Sequence, residues 1–267
     1  MGNEIENVSI LRLTEESRSN VEDVVAREFP LTIILNSQEL VTLLCSPKDL
    51  KYLAIGFLFS EGLLKDKDEI KKIMVDEQRG VARVETRDNN VLADELIFKR
   101  LITSGCGRGA SFYSAADAQD QAKIESQTRM STQEVLSLVR SFQHCSQIYR
   151  ATGGVHSAAL CDTKSILVFS EDIGRHNAID KIFGECILED IPTAGQVVVT
   201  SGRISSEILL KVAKGKVPII ISKSAPTDLG VKLANDLGIS LLGFVRGKRI
   251  NAYTHDWRIL RDGKQGH

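Results

Sequence analysis

Gln196-Val197-Val198-Val199-Thr200, Val217-Pro218-Ile219-Ile220-Ile221-Ser222 and Ser240-Leu241-Leu242-Gly243-Phe244-Val245 are three short apolar runs that read as strands. Between them stand Ser205 to Lys214 and Thr227 to Leu237, which read as helices. Strands and helices alternating over such short connections predict a partly parallel sheet with covering helices, an α/β architecture. Moving upstream, the same pattern takes in strands Ser157 to Cys161 and Ile166 to Ser170 and a helix around Ala178 to Leu188. Ser131-Thr132-Gln133-Glu134 is a capping box. The helix it starts puts Val135, Leu138, Phe142, Cys145 and Tyr149 on one face, which assigns Cys145 to a core.

Ala115 to Arg129 is polar and has no clear apolar period. A boundary placed there divides the chain into a small α+β domain, 1–125, and an α/β domain, 126–267. In the first half, Leu31 to Leu35 and Leu40 to Leu44 form a hairpin through a turn near Asn36-Ser37-Gln38. Ser46 is the expected N-cap of a following helix, with Pro47 in its first turn and Leu50, Leu53, Ala54, Phe57 and Leu58 at helical spacing. Gly62 is expected to end it. A second two-stranded pattern covers Ile70 to Val75 and Val81 to Thr86.

Composition narrows the function. The 267 residues are 42% hydrophobic and 26% charged, enough apolar material for ordinary cores. The formal charge of -1 gives no global field for nucleic acid or an anionic membrane, so any anion must be held by a local site. Met1 to Asn20 is polar and acidic, and no apolar run approaches a membrane span, so the expected location is the cytoplasm. Cys45, Cys106, Cys145, Cys161 and Cys186 are odd in number and scattered. That argues against a disulfide framework, and with no CxxC, against structural zinc.

In an open α/β sheet, ligands bind beyond the carboxyl ends of the parallel strands. Three polar junctions fall there: Glu171-Asp172-Ile173-Gly174-Arg175-His176-Asn177, Ser201-Gly202-Arg203, and Ser222-Lys223-Ser224-Ala225-Pro226-Thr227. Free N–H groups at helix starts, with Arg175, Arg203 and Lys223, make an anion or phosphate pocket. The same residues also read as ordinary caps and turns. Absence of a Walker A pattern and of GxGxxG argues against an ordinary kinase, NTPase or dehydrogenase. His156, after Gly153-Gly154, and His176, beside Arg175, are candidates for proton transfer or anion contact, or for plain hydrogen bonding within a loop. Thr103-Ser104-Gly105-Cys106-Gly107-Arg108-Gly109-Ala110 surrounds one thiol with three glycines and an arginine. Arg108 favours the thiolate, the form that attacks sulfur and holds a persulfide; the alternative is a turn whose cysteine is incidental.

Together, Thr152-Gly153-Gly154-Val155-His156, Glu171 through Lys181, Ser201-Gly202-Arg203 and Ser224-Ala225-Pro226-Thr227 closely resemble the formate dehydrogenase accessory sulfurtransferase family (FdhD/NarQ). Gly56 to Gly62 and Gly243 to Gly247 extend the match to nearly all of the chain after Phe29. The resemblance implies an enzyme that takes persulfide sulfur from a cysteine desulfurase. It would pass this sulfur to the molybdenum or tungsten bis-molybdopterin guanine dinucleotide cofactor of formate dehydrogenase. It further implies a homodimer whose second domain is cytidine deaminase-like, three-layered and without the zinc site. Catalysis is assigned to Cys106. Cofactor binding is assigned to Phe244, Val245, Arg246, Gly247, Lys248 and Arg249, with Ser201, Gly202, Arg203, Arg175, His176, Lys223 and Ser224, and a guanine nucleotide is the expected mimic. Relatives commonly carry CxxC in this loop, whereas Gly109 stands at the second position here. Cys106 must then accept and donate sulfur alone or borrow a thiol from elsewhere. That departure also supports a runner-up: a noncatalytic chaperone that binds the cofactor and docks on formate dehydrogenase.

Overall fold

The computed structural model describes residues 4–87 and 122–261. A two-stranded antiparallel ribbon, β1 (Ile5–Leu13) and β2 (Arg18–Ala26), comes first. Strands β3 (Phe29–Leu35) and β4 (Gln38–Cys45) then form the expected hairpin. Its two loop residues, Asn36 and Ser37, both have positive φ, which matches the right-handed twist of the strands. Helix α1 (Leu50–Ser60) and strands β5 (Ile70–Asp76) and β6 (Val81–Thr86) complete a sheet in the order β4-β3-β6-β5. Leu31, Ile33, Leu43 and Val84 of this sheet bury against Leu50, Leu53, Ala54 and Phe57 of α1.

The start of α1 differs from expectation. The helix opens after Asp49, which is left-handed at φ 55 and provides no side-chain cap. Ser46 lies outside it and is taken by a distant partner: its N–H donates to Asp172 Oδ2 (3.0 Å), and its Oγ accepts from the Ile173 N–H (3.1 Å). At the other end, Gly62 has φ 79 and donates to Phe59 O, so the helix ends where glycine permits the turn.

The later part begins with β7 (Met130–Ser131) and α2 (Thr132–Cys145), whose capping box from Ser131 to Glu134 is intact. Val135, Leu138 and Phe142 are buried as expected, but Cys145 is exposed. The helix stops at that residue and the chain bends at Ser146 into α3 (Gln147–Thr152), so the apolar face is not continued. Then follow β8 (His156–Cys161), β9 (Ile166–Asp172), α4 (Arg175–Leu188), β10 (Val197–Thr200), α5 (Ser206–Lys214), β11 (Ile219–Ser222), α6 (Asp228–Asp236), β12 (Ser240–Arg246), β13 (Arg249–Thr254) and β14 (Ile259–Leu260). The main sheet runs β13-β12-β11-β10-β8-β9, with β10, β11 and β12 mutually parallel and the other pairs antiparallel. Along β10, Val198 faces α4, α5 and α6, while Val197 and Val199 face α2. The sheet is thus a middle layer between helices, as period-two alternation of apolar residues on both faces requires.

Helix α1 joins the two sheets by crossing α4 at a pair of glycines. A Cβ on Gly56 would lie 1.7 Å from the Asp180 carbonyl oxygen, and one on Gly184 would lie 1.9 Å from that of Tyr52. Only glycine permits backbones this close. Around the crossing, the Lys181 ammonium lies 2.7 Å from Asp172 Oδ2, both side chains fully buried, and also donates to Ser46 O (3.2 Å). Asn177 donates to Leu44 O and to Asp172; Lys211 and Ser60 donate to Asp180. Buried charges need this complete pairing. Of the expected boundary segment Ala115 to Arg129, residues 115–121 lie outside the described residues. Among the described residues, no helix is long and apolar enough to cross a membrane.

Candidate functional site

Strands β10, β11 and β12 end along one edge of the main sheet, and antiparallel β8 begins there. Each contributes a polar residue at that edge: Ser201 after β10, Lys223 after β11, Arg246 at the end of β12, and His156 at the start of β8. They form one wall of a cleft of about 770 Å³. The opposite wall comes from Phe142 and Gln143 of α2, Tyr149 and Arg150 of α3, and the turn at Gly153 and Gly154. Glu171 fixes that wall, because its carboxylate accepts the N–H groups of Ile148 and Tyr149, both at 3.0 Å. A buried carboxylate on otherwise unpaired helix-start donors is favourable in charge and hydrogen bonding.

The strand-end wall is held by short polar links. Ser201 Oγ accepts from the Ser157 N–H (2.9 Å) and lies 3.4 Å from His156 Nδ1. Ser222 Oγ donates to Gly202 O (2.7 Å) and accepts from the Ser224 N–H (2.9 Å). Arg246 Nε donates to Lys223 O (3.0 Å). Three ionisable groups here are pushed toward their neutral forms. Lys223 is lowered by burial and then by Arg246; Arg175 by burial and then by Arg203, against a smaller opposing effect of Glu207. His156 is lowered by burial and then by Arg175, with Asp172 opposing. The partly desolvated positive charges of Lys223 and Arg175, each beside a guanidinium, are relieved by an anion.

Of the residues singled out from sequence, His156, Ser201, Lys223, Arg246 and Gly247 line the cleft, with Gly153 and Gly154 before His156. Gly202 packs behind it, where a Cβ would lie 2.9 Å from Arg175 Cβ, and the buried Nε of Arg175 has no hydrogen-bond partner among the described residues. Ser224 O accepts from the Phe244 N–H (3.0 Å). His176 points elsewhere: it is only 4% exposed, and its Nε2 lies 3.3 Å from Glu207 Oε2. Burial first, then Lys211, Arg175 and His156, push its pKa down to about 3, so it is a neutral imidazole beside a carboxylate. Val245 is in the core under α2. Phe244 lies under the Arg249 guanidinium, 5.7 Å from its ring centroid, and Lys248 and Arg249 are exposed beyond the cleft. Cys106 and its loop, Thr103 to Ala110, lie outside the described residues.

Sequence reading missed the helical wall. Tyr149 was placed on the apolar face of one long helix, and only the break at Ser146 turns it toward the cleft. The described thiols divide clearly. Cys45, Cys161 and Cys186 are buried, and burial pushes each pKa up to about 12, while Cys145 is exposed.

The profile of the FdhD/NarQ family matches residues 26–260. A Bacillus pumilus protein named sulfur carrier protein FdhD is 47% identical, covering 89% of this chain and 90% of its own length. Proteins of the same name from Bacillus subtilis and Staphylococcus aureus (strain MRSA252) are 45% and 44% identical, each over 94% of this chain and 95% of theirs. A crystal structure from Desulfotalea psychrophila, described as a formate dehydrogenase accessory protein, superposes with a TM-score of 0.80 at 28% identity. The match covers 96% of this chain and 99% of that one. With its profile match and its relatives both spanning most of its length, the chain belongs to the FdhD/NarQ family.

Proposed function

We propose that this protein is a cytoplasmic sulfurtransferase of formate dehydrogenase maturation, acting as a homodimer. Cys106 takes a sulfane sulfur from a cysteine desulfurase as a persulfide. It passes that sulfur to the molybdenum or tungsten bis-molybdopterin guanine dinucleotide, a substrate held in the cleft. The observation carrying this reading is the strand-end wall of Ser201, Lys223 and Arg246, a cationic donor set suited to phosphate oxygens and lacking any hydrolytic motif. The name shared by the relatives agrees with it. In this reading the second half keeps a cytidine deaminase-like arrangement as a binding scaffold, without its zinc. Burial holds Cys45, Cys161 and Cys186 as thiols, and the thiolate is the reactive form, which leaves Cys106 and the exposed Cys145 as the thiols a test must separate.

The test is mass spectrometry after incubation with cysteine and a desulfurase. A gain of one sulfur is expected on the parent and on Cys145→Ser, and none on Cys106→Ala. Equal gain on Cys106→Ala would sink the assignment. Lys223→Ala should weaken GDP binding by about tenfold or more in calorimetry, the worth of a charge-assisted hydrogen bond. Unchanged affinity would move the ligand out of the cleft.

A further inference from the structure

Strand β12 departs from regular pairing just before it reaches the cleft. Its partner β13 pairs Gly243 with Asn251 and Arg246 with Arg249, so Phe244 and Val245 together face the single residue Ile250. This two-against-one arrangement is a β-bulge, and its first residue, Phe244, is left-handed at φ 52. The left-handed first position of such a bulge is normally glycine, because a Cβ is strained there, and a bulky aromatic is a clear outlier. Gly243 stands one residue too early to relieve it.

The bulge has a definite consequence for side-chain direction. In a regular strand, residues 242, 244 and 246 share a face. Leu242 is in the core under α2, so Arg246 would be driven into that core as an unpaired charge. The extra residue resets the alternation: Val245 takes the core position, and Arg246 comes out at the cleft with its Nε on Lys223 O. Phe244, meanwhile, is not among the cleft-lining residues. Its N–H is tied to Ser224 O (3.0 Å) and its ring lies below Arg249.

We infer that Phe244 is a positioning residue whose left-handed backbone, rather than its ring, sets Arg246 into the anion-binding wall. The inference rests on the proposed function only for its ligand. Backbone and ring roles predict opposite rank orders. Phe244→Gly and Phe244→Asn, residues that tolerate φ near 50°, keep GDP affinity within about threefold of the parent. Phe244→Val retains more apolar surface but resists a left-handed conformation, and it loses about tenfold, as Arg246→Ala does. Adding Arg246→Ala to Phe244→Val causes no further loss, since the two changes remove one interaction. Greater loss with Gly and Asn than with Val, or additive loss in the double variant, overturns the inference.

Denaturant midpoints of the unliganded variants supply a readout independent of the nucleotide. Val is expected to lower the midpoint more than Gly and Asn; the reverse order overturns the proposal. A parent protein that binds no GDP would refute the proposed ligand while these midpoints still decide the role of Phe244.

Discussion

His176 shows how a residue of functional appearance can serve stability instead. It follows Arg175 at a strand end, and from sequence it reads as an anion contact or proton carrier. The fold buries it against Glu207 as a neutral ring. Its pKa is depressed from 6.5 to about 3, so between those values the unfolded chain binds a proton that the native one does not. Native stability is therefore full above about pH 6.5 and falls as the pH drops toward 3, by up to about 1.4 kcal/mol per pH unit. Urea unfolding between pH 7 and pH 5 should show that slope, and His176→Gln should flatten it. An identical slope in the variant would remove His176 as its source. Burial of this kind depends on which helix packs over the side chain, which a local motif does not encode. Ser46 and Cys145 were misread for the same reason. Ser46 has the residue type and position of a cap but finds Asp172 and Ile173, while Cys145 keeps the apolar spacing but is the last residue of its helix, where the covered face stops.

Among elements, the βα alternation from β8 to β12 was readable because each segment keeps a single periodicity and each helix covers the neighbouring strand. Ser201 and Lys223 follow from the same pattern; Arg203 and Arg175, which it also offers, are not among the cleft-lining residues, and Arg246 comes only with the family resemblance. The crossing of α1 with α4 was not readable in that way. Gly56 and Gly184 are 128 positions apart by their numbers, and neither shows a turn signal; each is required only by the other helix. Gly56→Ala or Gly184→Ala forces a methyl group onto backbone oxygen, and separating the helices should cost about 3 kcal/mol or more. Equilibrium denaturation measures this loss, and a midpoint within error of the parent would mean that the helices do not pack backbone to backbone. The bulge at Phe244 escaped detection for a related reason, since its usual glycine signal is missing.

For the molecule as a whole, the segment from Glu171 to Lys181 has a double role. Glu171 holds the helical wall of the cleft, whereas Asp172, Asn177, Asp180 and Lys181 tie the early sheet to the later one. From sequence, this segment was assigned to the pocket; a large part of it is a joint. Lys181→Met would leave Asp172 buried without its ammonium and should destabilise the protein by about 3–5 kcal/mol. Calorimetric unfolding would test this, and a melting temperature equal to the parent's would count against the buried pair. The joint also bears on synthesis. Ser46 finds its carboxylate partner 126 residues later in the chain. At roughly 5–20 residues per second, the growing polypeptide waits roughly 6–25 s before that partner is made. During that interval the α1 face that will meet α4 has no cover, so a ribosome stalled before Arg175 would hold a sticky intermediate in need of a chaperone.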